Sequence, residues 1–125
     1  MMHAPPLLYS IDLSGCETIA AFKPEQITAT FVAAMERAGA SIVQEVSHVF
    51  PGAGLTCALI LRESHAVLHT WPETGTVNID IFSCSSRLKS LDAAAELSQA
   101  FGALHVSVQQ VTRADGHLPQ PDPDC

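Results

Sequence analysis

The stretch that most restricts the fold is residues 54–62, GLTCALILR, which has the length of a strand and carries apolar side chains on both of its faces. Leaving either face wet forgoes burial worth about 0.8 kcal/mol per CH2 group. Cover comes either from helices on both sides of a sheet, or from helices on one side and another subunit on the other. The number of helices decides between these.

Two segments read as helices. Pro24 sits where a first-turn proline is tolerated, and Ile27, Phe31, Met35 and Ala38 recur at spacings of four and three until Gly39 ends the pattern. The second helix is expected over 88–101, with Leu91, Ala94, Ala95, Leu97 and Ala100 apolar and Gly102 as its stop. The remaining segments alternate as strands do. LLYSIDLS (7–14) stops at Gly15-Cys16, and SIVQEVSHVF (41–50) reaches residues 54–62 through Pro51-Gly52-Ala53-Gly54. AVLHTW (66–71) and TVNIDIFSC (76–84) flank Pro72-Glu73-Thr74-Gly75, and LHVSVQQV (104–111) comes last.

The order βαββββαβ predicts an α+β two-layer sandwich, with both helices on one face of a mostly antiparallel sheet. Two helices cover one face only, so the doubly apolar strand favours a homodimer. In TVNIDIFSC the period of two turns Val77, Ile79 and Ile81 toward the helices and leaves Asn78, Asp80, Phe82 and Cys84 on the uncovered face.

At 125 residues the chain has the length of one domain, expected over 1–113. The tail from Ala114, ADGHLPQPDPDC, has a single large apolar side chain among its prolines and aspartates and is expected to be disordered. Six Lys+Arg against thirteen Asp+Glu leave a net charge of −7 and no basic stripe, which argues against a nucleic-acid partner. No apolar run approaches the roughly 18–20 residues of a membrane span. Cysteines 16, 57, 84 and 125 form no CxxC pair, and the N-terminus joins no basic region to an apolar run, so reduced thiols and a cytoplasmic location are expected.

Chemistry concentrates in RESHAVLHTWP (62–72) and in Cys84. Each residue alone has an ordinary explanation: a strand histidine as a hydrogen-bonded half-buried group, Trp71 as core or rim, a cysteine as a small hydrophobe. Zinc held by His65, His69 and Cys84 is disfavoured, because on a strand positions 65 and 69 stand roughly 13 Å apart, and no metal is expected. Nucleophilic catalysis by Cys84 with a histidine stays open on spacing alone.

The combination is more specific. ESHAVLHTWPETGTVNIDIFSC resembles the core of the bacterial S-adenosylmethionine decarboxylases, close to ESH-x-x-x-HTWPE-x-G-x-x-x-x-D-x-F-[TS]-C. The match is carried by Glu63, Ser64, His65, His69, Thr70, Trp71, Pro72, Glu73, Gly75, Asp80, Phe82 and Cys84. Upstream, SHVFPGAGLT is similar to the family's H-x-F-x-x-x-G-x-[ST] at His48, Phe50, Gly54 and Thr56, and IDLSGC is similar to its D-L-x-G-C. The resemblance spans about residues 7–113.

It implies a self-cleaving proenzyme, cut between Glu63 and Ser64. Ser64 would attack the Glu63 carbonyl in an N-to-O acyl shift, and elimination followed by hydrolysis would leave a pyruvoyl group at the head of residues 64–125, the α chain. Residues 1–63 would become the β chain. The resemblance implies His69 as the proton-transfer group of processing and Thr56 as its supporting hydroxyl. In turnover it implies a Schiff base between the substrate amine and the pyruvoyl ketone, loss of carbon dioxide and reprotonation by Cys84. Phe50 and Trp71 correspond to aromatic positions near the substrate, and Glu73 to nearby polar recognition. His65 is expected to satisfy a local hydrogen bond. A dimer of αβ protomers serving spermidine synthesis is implied as well.

One conflict of parity stands out. In an unbroken strand Ser64 points away from His65, Val67 and His69, so it must occupy a bend or a strand end. The sequence also departs from the usual pattern, with Thr56 for serine, Cys57 and Ser85 for glycines, Leu8 for a histidine, and Thr76 and Asn78 for an aromatic and a small residue of G-Y-A-A-V-D. The Thr56 change bears on the rate of processing, and Thr76 and Asn78 bear on substrate choice, which keeps two alternatives: a pyruvoyl-dependent decarboxylase of arginine or ornithine, and an uncleaved, non-catalytic regulatory subunit.

Overall fold

Alternating segments become strands and the two stripes become helices in the computed structural model, which describes residues 5–62, 64–84, 88 and 90–114. The strands are β1 (Leu7–Ser14), β2 (Ile42–Val49), β3 (Leu55–Leu61), β4 (Ser64–Trp71), β5 (Thr76–Ser83) and β6 (His105–Thr112). The helices are α1 (Pro24–Arg37) and α2 (Ser90–Phe101), with a short 3-10 turn at Ile19–Ala21 that the sequence pattern does not announce. The expected order and the two-layer α+β architecture hold. The predicted tail disorder concerns residues beyond Ala114, which lie outside the described residues, as does Glu63.

The strands lie in the order β2-β3-β4-β5-β1-β6, and every adjacent pair is antiparallel. β2 to β5 form a meander of hairpins, whereas β1 closes against both β5 and β6. The first strand therefore lies inside the sheet, next to the strand that carries the polar phase.

Helix α1 starts as its sequence requires. Pro24 takes the first turn, where no amide donor is missed, and the Gln26 side chain accepts from the Lys23 amide at 2.7 Å. Ile27, Phe31, Ala34 and Met35 are buried on the sheet. In α2 the buried residues are Ala93, Ala94, Leu97 and Phe101, whereas Ala95, expected inside, is exposed. The stripe is rotated from the expected phase because alanine is small enough to suit either face, so the large Leu97 and Phe101 set which face goes down. Opposite them, Ile11, Leu13, Leu55, Leu59, Leu68, Ile79 and Ile81 complete the core, each side chain contributing about 1.5–3 kcal/mol of burial. An exposed Arg37–Glu96 hydrogen-bonded ion pair of 2.7 Å links the two helices.

β3 shows the consequence of having only two helices. Leu55, Cys57, Leu59 and Leu61 are buried beneath them, while on its other face Thr56 and Ala58 are half-buried and Ile60 is 46% exposed. That open face carries the candidate site. The β4–β5 turn at its edge is tied down through Gly75, whose carbonyl accepts from the Cys16 amide at 2.9 Å. Gly75 has φ +69°, and a Cβ there would sit 3.3 Å from the Cys16 carbonyl oxygen, so glycine meets both a conformational and a steric demand. Among the described residues no helix is long and apolar enough to cross a membrane.

Candidate active site

Antiparallel register gathers polar side chains from strands distant in sequence. His48 pairs with Thr56, Thr56 with His69, His69 with Asn78, Asn78 with Asp12, and Asp12 with Ser107. Directly opposed residues share a face, so this row crosses all six strands on the open side of the sheet. Two contacts within it are hydrogen-bonded, and a third bond ties Trp71 to it. Thr56 Oγ1 and His69 Nδ1 stand 2.8 Å apart, Trp71 Nε1 donates to Asn78 Oδ1 at 2.6 Å, and Asn78 Nδ2 donates to Asp12 Oδ1 at 2.7 Å.

At one end of the face, Phe50, Gly54, Thr56, His69, Trp71 and Glu73 line a cleft of about 580 Å3, a volume suited to a small molecule. Phe50 and Trp71 are each about half exposed, which leaves their rings available to a ligand. Phe50 packs edge-on against His48 with centroids 4.7 Å apart, and its amide donates to the Gly54 carbonyl at 2.7 Å to close the β2–β3 turn. Thr70, on the covered side, accepts from the Leu55 amide at 3.1 Å and locks the same corner. Five residues expected at the site, Phe50, Thr56, His69, Trp71 and Glu73, thus share one cleft.

Ser64 and Cys84 are not in that cleft. Ser64 is the first residue of β4, opposite Leu61 across a tight hairpin, so the parity conflict resolves as a strand end. Its side chain falls in phase with buried Ala66 and Leu68, and its Oγ is buried without a hydrogen-bond partner. His69 lies five residues along the strand, roughly 17 Å away at about 3.3 Å per residue, with its side chain on the opposite face. Cys84 directly follows β5, and the rung pairing His65 with Phe82 brings residue 84 to the same end of the sheet as Ser64. Cys84 is half-buried and disulfide-bonded in this structure, which corrects the expectation of reduced thiols at that position; an acid role there needs the reduced form. His65 stacks on Phe82, with centroids 5.6 Å apart and planes 15° apart, a ring contact where a local hydrogen bond was expected.

The other described cysteines are free and buried, and both thiols are held in the neutral form. Burial pushes Cys16 upward, and burial together with the negative charge of Glu45 pushes Cys57 to about 11. No group of three metal-ligating side chains occurs among the described residues, so nothing there supports zinc. Asp12 was absent from the expected site. Its strand phase marked it as polar, but only the β1–β5 pairing places it against Asn78.

Comparison with known proteins gives the family and the fold. Residues 7–114 match the family model described as S-adenosylmethionine decarboxylase. A protein named S-adenosylmethionine decarboxylase proenzyme from Pelotomaculum thermopropionicum is 31% identical over 109 residues, covering 87% of this chain and 85% of that one. A proenzyme of the same name from Acidithiobacillus ferrooxidans is 34% identical over 102 residues, covering 82% and 77%. The crystal structure of the adenosylmethionine decarboxylase from Aquifex aeolicus superposes with a TM-score of 0.76 at 22% identity, over 94% of this chain and 98% of that one, a likeness of fold.

Proposed function

The chain belongs to the S-adenosylmethionine decarboxylase family, and from that premise we propose that it is a self-processing proenzyme whose mature form decarboxylates S-adenosylmethionine through a pyruvoyl group made from Ser64. The relatives' names favour S-adenosylmethionine over arginine or ornithine. The observation that carries the reading is the Ser64 hydroxyl: a buried group with no partner, at a strand end, costing about 1–3 kcal/mol of unmet hydrogen bonding. A structural serine has no need of that position; a nucleophile does.

In processing, Ser64 Oγ adds to the Glu63 carbonyl carbon, the peptide C–N bond breaks and an ester forms. Loss of the Ser64 α-proton then breaks the Cβ–Oγ bond, freeing residues 1–63 as a carboxylate, and water converts the remaining dehydroalanine to pyruvoyl with release of ammonia. His69 moves the protons, and Thr56, 2.8 Å from its Nδ1, orients the imidazole and supports the developing charge.

No chain can bring its own His69 to its own Ser64, since some 17 Å and a change of face separate them. The functional groups form two clusters on one sheet, Ser64 with Cys84 at one end and the Thr56–His69 pair with the aromatic cleft at the other. A two-fold dimer across the open faces sets each cluster against the partner's other cluster, because in an isologous interface residue i meets j and j meets i. It also covers Ile60 and the half-buried Ala58, as the doubly apolar β3 requires. The reading requires the terminal rung between Leu61 and Ser64 to open and turn the hydroxyl outward.

The pyruvoyl group supplies an electron sink for loss of carbon dioxide from an α-amino acid. The chain's own residues do the rest. Phe50 and Trp71 receive the flat adenine and meet the sulfonium charge, Glu73 offers a carboxylate at the lip, and Cys84, once reduced to the thiol, returns the proton. Intact mass, read before and after cyanoborohydride with S-adenosylmethionine, ornithine or arginine, tests the proposal. Two fragments divided between residues 63 and 64, with a reduced adduct on residues 64–125 from S-adenosylmethionine alone, are expected. A chain left whole refutes it.

A further inference from the structure

Trp71 is half exposed at the end of β4, yet its ring is not free to turn. An indole has a single polar atom, a donor, and here that donor is held by Asn78 Oδ1 at 2.6 Å. Asn78 sits opposite His69, two residues inward from Thr76, which is opposite Trp71, so the bond runs diagonally between strands. An amide side chain can present either its oxygen or its nitrogen. The Asp12 carboxylate removes that choice, because it only accepts: it takes Nδ2 at 2.7 Å and leaves Oδ1 aimed at the indole. Asp12 does not line the cleft, so its effect reaches the ligand only through Asn78 and Trp71.

We infer that Asp12 and Asn78 are positioning residues that hold the Trp71 ring across the cleft and thereby set how tightly the substrate's planar group is bound. This rests on the reading of Trp71 as a substrate-binding residue.

Trp71 is the only tryptophan, so its emission reports on the relay directly. Acrylamide quenching and anisotropy are measured in a Ser64→Ala background, which removes any dependence on cleavage, and kinetics in the processed protein. Asn78→Ala and Asp12→Ala should raise quenching about twofold and lower anisotropy. They should raise KM for S-adenosylmethionine roughly three- to tenfold, the worth of one oriented hydrogen bond, with kcat held within about twofold. Asp12→Asn, which keeps an acceptor oxygen in place, should restore most of both. Unchanged quenching in Asn78→Ala overturns the relay, and increased quenching without a rise in KM overturns its role in substrate fit. Trp71→Ala with an unchanged KM refutes instead the reading of Trp71 on which the inference rests, whatever the emission shows.

Discussion

Consider two variants made together, one with His69→Ala and one with Ser64→Ala, each carrying its own affinity tag. On the proposed roles, the first retains the serine to be cut and lacks the proton-transfer group; the second retains the imidazole and lacks the serine. Acid–base transfer operates at about 3 Å, and His69 stands roughly 17 Å along β4 from Ser64 with its side chain on the other face. A chain acting alone is short of contact by several times the working distance. Each variant expressed singly should therefore stay whole, the His69→Ala protein because it loses about 10²- to 10⁴-fold in processing rate. Expressed together, random pairing makes about half of all dimers mixed. In those, the Ser64→Ala partner brings its His69 and Thr56 to the intact Ser64 of the other chain. About half of the His69→Ala chains should then appear as two fragments by intact mass, and none of the Ser64→Ala chains. Cleavage no greater than in the His69→Ala homodimer would refute the argument from strand separation. Rapid cleavage of the His69→Ala protein by itself would remove His69 from processing altogether.

Three further outcomes follow from the same geometry. If Cys84 is the proton donor as proposed, Cys84→Ala should still divide into two fragments but lose about 10²- to 10⁴-fold in decarboxylation when both proteins are assayed in reductant; an uncut variant would show that Cys84 serves processing. The Cys57 thiol, raised from 9.0 to about 11 by burial and then by Glu45, stabilises the fold fully below pH 9 and loses that contribution as pH rises through 11. Denaturant melts at pH 8 and 11 should show the wild type losing about 2 kcal/mol more than Cys57→Ala, and equal losses would contradict the shift. Ala53, in the turn beside the cleft, holds φ at +75°, where a non-glycine residue is strained by about 1–2 kcal/mol. Ala53→Gly should gain about 0.5 kcal/mol after the entropy cost of glycine, and a measured loss of 1 kcal/mol would mean that the turn is not strained.

Much of the local structure can be read from the chain. The spacing of Ile27, Phe31 and Met35 specifies α1, the alternation of Val77, Ile79 and Ile81 specifies both β5 and its polar face, and the parity of Ser64 against His65 demands the strand end that is found. These are properties of neighbours within a turn or a pleat, and residue order determines them. In α2 the expected Ala94 and Leu97 are buried but Ala95 is not, because alanine carries too little surface to choose a face, so Leu97 and Phe101 decide it through contacts with a sheet built from distant segments. The motif from Glu63 to Cys84 identifies the chemistry but not the arrangement of its members. Only the assembled sheet shows that Ser64 lies with Cys84, apart from His69 and Trp71, and only the insertion of β1 between β5 and β6 sets Asp12 against Asn78, 66 residues away. Such pairings carry no local signal: they follow from which strands meet once the two helices have buried one face of the sheet, and that is a property of the packed whole.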